Sequence, residues 1–268
     1  MSRPVFVVCG PRSGSTFVVA LLGGHGRIQM TNEAAWVTYL RKTFLLASTP
    51  SSQQIEDGEG FATPGILPEK YTEAIARSHL SVMRLFVTRF YRRAGSPIDG
   101  DDCAFYGDKV MSVNDLRFAA EWFDEAVFVH LVRDPRDVIA STFAFSQKHK
   151  MLWDSATFDT RVSHMAEFLG KTGDILRDRR SLLLRYEDLL EDPERRVAEL
   201  FAFLELDVDG GVREFLDGES QRLFANHGTS ASPTASIGRW RRDLSAEQQT
   251  QATAGLAAEL ARYGYESA

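Results

Sequence analysis

Short apolar segments alternate with amphipathic segments along most of the 268 residues. Continuous apolar runs at Val5–Cys9, Ala126–Val132 and Ser181–Arg185 are typical of parallel strands that are buried on both faces. A shorter strand is predicted at Phe105–Lys109. Strands that alternate with helices predict an α/β fold of three layers, α/β/α, around a central parallel sheet of about four or five strands. We expect one domain over residues 1–268.

Apolar residues at spacings of three and four predict the helices. Asp134-Pro135 and Asp192-Pro193 each supply an N-cap and a proline at the first helical position. Segments 47–67 and 226–237 are rich in Ser, Thr, Gly and Pro, and we expect loops there, the longer one a lid or a disordered segment. The other predicted helices cover residues 16–22, 33–46, 68–94, 114–123, 155–177, 210–216 and 245–263.

A turn with two glycines, Gly10 to Thr16, links the first predicted strand to the first helix. Such a turn presents backbone N–H groups and the positive end of the helix dipole to an anion. Arg12 adds a permanent cation. A nucleoside-triphosphate loop needs G-x-x-x-x-G-K-[ST], but here Ser15 stands five residues after Gly10 and no lysine precedes Thr16. The loop therefore suits a phosphate-like group, and the alternative is an ordinary tight turn.

Polar residues also follow two other predicted strands. Lys109 ends one, and Arg133 and Asp134 follow another. Ligands of parallel sheets bind outside the carboxyl ends of the strands, so we expect these residues to share one site with the loop. Burying Arg133 without an anionic partner would be costly, and the alternative is a structural pair between Arg133 and local carboxylates. Arg136 is expected at the surface or beside an acidic partner.

Four segments, in matching order between about residues 4 and 244, resemble one family. Val8–Thr16 resembles the 5′-phosphosulfate loop of sulfotransferases that use 3′-phosphoadenosine-5′-phosphosulfate (PAPS), in particular the branch of tyrosylprotein and bacterial sulfotransferases. Leu131–Ser141 resembles their 3′-phosphate motif, an Arg at a strand end and a Ser eight residues later. Leu184–Leu189 and Gly238–Leu244 resemble two further segments that are usual in this family. The resemblance implies a phosphate-loop-like nucleotide-binding fold with helical elaborations on the acceptor side.

The resemblance also implies a set of donor-binding residues. Tyr186 would line the nucleotide site, although a core tyrosine is the alternative, and Arg239 and Trp240 would cover the donor. A Ser/Thr-rich loop near the C-terminus would reach the donor as well. The implied donor set is Pro11, Arg12, Ser13, Gly14, Ser15, Thr16, Phe17, Arg133, Ser141, Tyr186, Thr229, Ser230, Arg239 and Trp240.

Sulfuryl transfer needs a general base and a cation that stabilises the leaving oxygen. In tyrosylprotein sulfotransferases a catalytic Glu follows the loop Arg by 21 residues, a spacing that selects Glu33 here. The alternative for Glu33 is a capping role in the first turn of a helix. By resemblance Lys109 and Arg12 are the cations, and the alternative for Lys109 is a surface salt bridge. Cytosolic sulfotransferases use a His base instead, but we expect both nearby candidates, His25 and His130, to be structural.

The amino-acid composition argues against several classes of binding partner. The 37 acidic and 31 basic residues give a net charge of −6, which argues against a broad nucleic-acid or anionic-membrane surface. The two cysteines and six histidines show no metal-ligand spacing, and no apolar run is long enough for a membrane span. A signal peptide at the N-terminus would remove the first predicted strand, so we expect a cytoplasmic protein.

Taken together, these features predict a sulfotransferase that uses PAPS, releases adenosine 3′,5′-bisphosphate (PAP), and sulfates a hydroxyl of a small molecule such as a natural product, a lipid or an aromatic alcohol. The alternatives are a phosphate-loop kinase or NTPase and a non-catalytic nucleotide-binding protein. The sequence does not indicate the oligomeric state. Aromatic residues that line an acceptor pocket or belong to the core are Trp36, Tyr39, Phe44, Trp153 and Phe158.

Overall fold

The computed structural model describes residues 2–48, 78, 82–83, 85–96, 98, 102–148, 157–219 and 232–266. Within these ranges the strands are β1 Arg3–Cys9, β2 Ile28–Met30, β3 Phe105–Val110, β4 Val127–Val132 and β5 Ser181–Arg185. They form one sheet in the order β2-β3-β1-β4-β5, and all neighbouring strands run parallel. The predicted α/β fold with a parallel sheet is thereby confirmed.

Helices cover both faces of the sheet, which is why the central strand is apolar without alternation. The helices are α1 Ser15–Gly23, α2 Trp36–Ser48, α3 85–93, α4 Val113–Trp122, α5 Pro135–Lys148, α6 Phe158–Leu176, α7 Tyr186–Glu191, α8 Pro193–Phe203, α9 Gly210–Glu214, α10 Trp240–Asp243, α11 Ala246–Gly255 and α12 Ala257–Arg262. Val5 and Val7 pack into a cluster with α1 and α8, while Phe6 and Val8 pack into another with α2, α3 and α4.

Two predicted helices differ from the structure. The helix expected from Glu33 begins at Trp36, because Glu33 and Ala35 hold left-handed backbone angles, with φ of 62° and 55°, that interrupt a right-handed helix. The helix expected over 245–263 is divided into α11 and α12 by Leu256, which has φ −113° and is fully buried. Local periodicity did not indicate either interruption.

The aromatic residues considered for an acceptor pocket differ in their burial. Trp36 is 1% exposed and packs against Phe6 with ring centroids 5.5 Å apart. The pocket interpretation is therefore wrong for Trp36. Phe44 is partly buried and packs against Trp122 with ring centroids 4.5 Å apart. Tyr39, in contrast, is 52% exposed. Phe158 stacks on Phe143 at 5.9 Å, and Trp153 lies outside the described residues.

Of the two predicted loops, 47–67 lies almost entirely outside the described part of the chain, and 226–237 lies half outside it. Of the segment 226–237, residues 232–237 are described, and they contain a 3-10 turn at Thr234–Ser236. Across the described ranges, none of the helices is both long enough and apolar enough to cross a bilayer.

Candidate active site

Each of the five strands delivers one predicted site residue at or just after its carboxyl end. Glu33 follows β2, Lys109 lies near the end of β3, the loop 10–16 follows β1, Arg133 follows β4 and Tyr186 follows β5. Because the strands are parallel, their carboxyl ends share one edge of the sheet, where such folds bind ligands. The strand order therefore arranges these residues along the edge as Glu33, Lys109, loop, Arg133 and Tyr186.

The loop 10–16 ends at the N-terminus of α1. Gly14 is the N-cap of α1 with φ 88°, a left-handed conformation that glycine adopts without a steric penalty. No side chain caps this helix and its first turn holds no acidic residue, so no carboxylate there competes for the positive end of the dipole. The hydroxyl of Ser13 donates to the Gly10 carbonyl at 2.7 Å and fixes the turn. This geometry suits a phosphate or sulfate group.

Tyr186 packs directly beneath the loop. A β-carbon added to Gly14 would lie 2.5 Å from the Tyr186 ring, so the loop depends on glycine for its close approach to this ring as well as for its backbone angles. Tyr186 is 6% exposed, and its hydroxyl lies 3.3 Å from the Ser236 hydroxyl. The ring is part of the core and also the floor of the loop.

Arg133 is a buried cation beside the loop. It is 5% exposed, and its guanidinium donates to the backbone carbonyls of Arg12 at 3.1 Å and Ser236 at 2.6 Å. Its Nε atom is buried without a hydrogen-bond partner among the described residues. The charge of Arg133 also opposes the burial-induced rise in the pKa values of Asp137 and Glu187, so local carboxylates lie within its electrostatic reach. A buried guanidinium with an unsatisfied N–H group suits an incoming anion.

Three arginines gather at this end of the site. Burial lowers the pKa of Arg12, and the positive charges of Arg133 and Arg239 lower it further. The Arg12 guanidinium lies over the Phe145 ring, 4.4 Å from its centroid, a favourable cation–π position. Mutual repulsion among these cations would be relieved by a bound anion.

Helix α5 brings its predicted phosphate ligand to the same place. Ser141 is 2% exposed. It lies four residues before Phe145, whose ring packs against the Arg12 guanidinium. Residues four apart share one face of a helix. Ser141 therefore lies on the face of α5 that is turned toward the loop.

Glu33 and Lys109 form an ion pair at the other end of the site. Lys109 Nζ lies 2.5 Å from Glu33 Oε1, with the lysine side chain 4% and the glutamate side chain 58% exposed. The same Nζ atom donates to the Ser15 hydroxyl at 3.4 Å. Lys109 is therefore not a surface salt-bridge residue, and Glu33 is not in a helical turn, so both alternatives are wrong. The Lys109 ammonium group therefore contacts the loop at Ser15, and the Glu33 carboxylate beside it is exposed to solvent.

Asp137 fixes the segment that carries Arg239 and Trp240. Its two carboxylate oxygens accept from the backbone N–H groups of Gly238 at 2.8 Å and Trp240 at 2.9 Å. Asp137 is completely buried, and this burial raises its pKa to about 6. The Arg239 guanidinium pairs with Asp243 at 2.6 Å. A role for this segment over the donor stays a prediction.

Trp240 lies between two other arginines, and Arg136 is one of them. The Trp240 indole is 4% exposed, with the Arg136 guanidinium 4.1 Å and the Arg241 guanidinium 4.4 Å from its centroid. Arg136 is 1% exposed and pairs with Asp134 at 2.8 Å. The surface location expected for Arg136 is wrong, whereas the acidic partner is present. The negative end of the pair also caps α5, because Asp134 accepts the Arg136 N–H at 2.9 Å.

Some residues at the site had no signal in the sequence. Thr229 and Ser230, the predicted donor contacts of the late loop, lie outside the described residues. Ser236 of the same loop contacts both Arg133 and Tyr186, but its loop has no periodic pattern from which this contact could be read. Phe145 looked like an ordinary helix residue. In both cases the contact joins segments that are far apart in the chain.

The two histidine candidates have structural contacts. His25 Nε2 lies 3.1 Å from the Asp207 carbonyl. Burial lowers the pKa of His130 to about 4, and this residue packs edge-on against Tyr263. Among the described residues, no group of three His, Cys, Asp or Glu side chains could hold a metal ion.

Replacement of Gly14 tests the close packing under the loop. We expect Gly14→Ala to lower the free energy of unfolding by the left-handed backbone cost of about 1–2 kcal/mol and by a further ~1–3 kcal/mol, because the methyl group displaces the Tyr186 ring. Gly95→Ala is the matched control, since Gly95 has φ 78° and nothing within 4 Å of the added carbon. Chemical denaturation measures both variants, and equal losses would show that the ring moves without cost.

Most of the chain matches a known protein family. The model of the "Sulfotransferase family" matches residues 4–210. Human carbohydrate sulfotransferase 1 is 28% identical over 183 residues, which cover 60% of this chain and 44% of that protein. The matched regions span only 27% to 44% of the curated relatives' own length.

Solved structures show the same fold. The sulfotransferase domain of the Synechococcus PCC 7002 olefin synthase superposes with a TM-score of 0.62 and 19% identity, covering 99% of this chain and 96% of that one. Retinol dehydratase in complex with androsterone and the inactive cofactor PAP superposes with a TM-score of 0.50 and 20% identity, covering 97% and 82%. The family model covers well over half of the residues, so the chain belongs to the sulfotransferase family of enzymes.

Proposed function

We propose that this protein transfers a sulfuryl group from PAPS to a hydroxyl of a small apolar molecule. One observation carries the proposal: the Lys109–Glu33 pair, the open N-terminus of α1 and the buried Arg133 lie side by side along one edge of the sheet. A donor with phosphate groups at both ends of an adenosine suits the last two features. The ion pair supplies a carboxylate and an ammonium group beside them.

The donor would be held at two points. The loop 10–16 and the first turn of α1 suit the 5′-phosphosulfate, because they offer N–H groups and Arg12, and the first turn itself holds no acidic residue. Arg133 and Ser141 suit the 3′-phosphate, since Arg133 has a buried N–H group to donate. That retinol dehydratase, which shares the fold, binds PAP supports this choice of donor. Pro11, Phe17, Tyr186, Arg239, Trp240, Thr229 and Ser230 complete the proposed donor set.

The chemistry then follows from the two ends of the ion pair. Glu33, which is more than half exposed, would accept the proton of the acceptor hydroxyl while its oxygen bonds to sulfur. The bond between sulfur and the bridging phosphate oxygen breaks as this happens. Lys109, buried on the loop side, and Arg12 would stabilise the negative charge that develops on that oxygen. The buried cation and the exposed base thus face the donor and the acceptor respectively.

Exposed apolar side chains on the segments that follow Glu33 and Lys109, and on the helix stacked against the first of these segments, favour an apolar acceptor. Tyr39, whose N–H bonds to the Ala35 carbonyl, is 52% exposed and stacks on Phe86 at 4.8 Å. Met111, two residues after Lys109, is 41% exposed, and Leu85 beside Phe86 is 50% exposed. Exposed apolar groups next to a candidate site are typical of ligand-binding surfaces.

A screen of acceptors tests this preference. With radiolabelled PAPS, we expect phenols, sterols and aliphatic alcohols to be sulfated at a higher kcat/KM than mono- and oligosaccharides, because apolar acceptors bury the exposed side chains. Tyr39→Ala should raise the KM of the best apolar acceptor severalfold. Faster sulfation of the sugars would contradict the apolar acceptor class while leaving the transfer reaction intact.

Ligand-dependent unfolding tests the donor and separates it from a nucleoside triphosphate. At about 100 times its Kd, PAP should stabilise the protein by ~2.7 kcal/mol, which raises Tm by about 5–10 °C. 5′-AMP, which lacks the 3′-phosphate, should give a smaller shift, and ATP with magnesium little or none. In Arg133→Ala the preference for PAP over 5′-AMP should fall about 10- to 100-fold, because a charged hydrogen bond contributes ~1.5–3 kcal/mol.

The ratio of the two affinities is the decisive quantity, since Arg133 also bonds to two carbonyls and its loss lowers stability for every ligand alike. A shift with ATP and magnesium alone would indicate a phosphate-loop kinase. An unchanged preference in Arg133→Ala would place the 3′-phosphate elsewhere.

Replacement of the ion pair tests the catalytic assignment. We expect Glu33→Gln to lower kcat about 10²- to 10⁴-fold because the base is lost, and Lys109→Ala to lower it about 10²- to 10³-fold because the leaving oxygen loses a cation. PAP affinity should change little in Glu33→Gln. Steady-state kinetics with the best acceptor measures both effects.

Glu167→Gln is the matched control, because Glu167 forms a pair with Lys171 at the same 2.5 Å distance on the surface. This variant should keep the wild-type kcat. If Glu33→Gln also keeps it, Glu33 is not the base. If the wild type binds PAP but neither it nor Glu33→Gln transfers sulfate, the chain is a nucleotide-binding protein without catalysis.

A further inference from the structure

Asp108 is a buried carboxylate with an unusual set of partners. It is 1% exposed, and its oxygens accept from the backbone N–H groups of Lys109 at 2.8 Å and Ala35 at 2.9 Å. Burial raises the pKa of Asp108 to about 6, while hydrogen bonds from the N–H groups of Lys109, Ala35, Ala34 and Glu33 oppose that rise. Three of these four donors are consecutive residues of the segment that follows β2.

This segment, residues 33–35, is held in an unfavourable conformation. Glu33 and Ala35 both have left-handed backbone angles, with φ of 62° and 55°, although neither is a glycine. Such angles persist in side-chain-bearing residues only where the surroundings enforce them. Consecutive N–H groups that converge on one anion form a concave nest. Here the anion is the carboxylate of Asp108, so this residue supplies the enforcing contact.

Two neighbouring residues of β3 thus hold Glu33 from its two ends. Asp108 binds the backbone of segment 33–35, and Lys109 binds the carboxylate of Glu33 at 2.5 Å. Successive side chains of a strand point to opposite faces of the sheet. The segment therefore straddles the end of β3, and the orientation of the Glu33 side chain depends on both contacts.

We infer that Asp108 is a positioning residue of the reaction, which acts through the backbone of segment 33–35 to hold the Glu33 carboxylate in place for proton transfer. The inference rests on the proposed role of Glu33 as the base. Asp108 itself would touch neither the donor nor the acceptor. A base displaced by about 1 Å loses roughly 100-fold in rate, so release of this segment should lower kcat without removing any reacting group.

Asp137 offers a matched control at the other end of the site. It too is buried, follows a strand within a few residues, and accepts two backbone N–H groups, those of Gly238 and Trp240. Its segment carries Arg239, a proposed donor contact. If buried aspartates mattered only for overall stability, the Asn variants of Asp108 and Asp137 would have the same functional effect. A positioning role predicts different effects.

The test combines hydrogen–deuterium exchange with kinetics of the Asp108→Asn variant. In the wild type, the amides of residues 33–35 should exchange slowly for a loop. In Asp108→Asn they should exchange at least 10-fold faster, while exchange in β1 and β4 stays the same. The variant should lose about 10- to 100-fold in kcat with less than about a 3-fold change in the Kd of PAP. Asp137→Asn should lose more in PAP affinity than in kcat.

A second variant tests the backbone argument directly. Adding Ala35→Gly to Asp108→Asn should restore part of the lost kcat, because glycine adopts the left-handed angle without strain. A merely structural role of Asp108 would instead lower Tm and PAP affinity together, and Ala35→Gly would not restore kcat.

The outcomes separate this inference from the proposed function. Fast exchange at residues 33–35 in the wild type would show that Asp108 does not hold this segment. This measurement does not require the variant to fold. Faster exchange in Asp108→Asn with an unchanged kcat would overturn the positioning role while Glu33→Gln still identifies the base. A wild type that transfers no sulfuryl group to any acceptor would overturn the proposed function, and the positioning role with it.

Discussion

Parallel pairing is the constraint on which the whole site depends. Five strands that run in the same direction must end at the same edge, and the loop that leaves each strand begins there. The strand order then sets the order of the candidate site residues along this edge: Glu33 and Lys109 at β2 and β3, the loop at β1, and Arg133 and Tyr186 at β4 and β5. Since neighbouring strands are about 4.8 Å apart, the sheet also spaces these groups over a distance that suits an extended nucleotide.

Buried carboxylates fix the segments that the strands deliver. Asp108 accepts the N–H groups of segment 33–35, Asp137 those of Gly238 and Trp240, and Glu187 that of Asp134 at 2.9 Å. Burial of these carboxylates disfavours the fold at neutral pH, and the hydrogen bonds from the N–H groups offset only part of that cost. The pKa values of Asp108 and Asp137 are raised from 3.8 to about 6, so the folded state binds more protons and loses stability as pH rises through this window. Their benefit is positional, because they hold strained or irregular backbone beside the reacting groups.

The sequence predicted the parts that depend on local pattern. The apolar runs of β1, β4 and β5, the turn of loop 10–16 and the strand-end positions of Lys109 and Arg133 all follow from periodicity and burial. It did not predict the left-handed backbone at Glu33, because that depends on a carboxylate 75 residues later in the chain. The contacts of Ser236 with Arg133 and of Asp137 with Gly238 escaped for the same reason: each joins segments about 100 residues apart.

One edge of the sheet is proposed to hold both ends of the donor and to leave the Lys109–Glu33 pair facing the acceptor. A crystal structure with PAP tests this claim most directly. We expect the 5′-phosphate against the N–H groups of residues 14–16 and the 3′-phosphate within hydrogen-bond distance of Arg133 and Ser141, with Glu33 still accessible to solvent. A nucleotide bound in the reverse direction, or with either phosphate seated on Lys109 in place of Arg133, would contradict it.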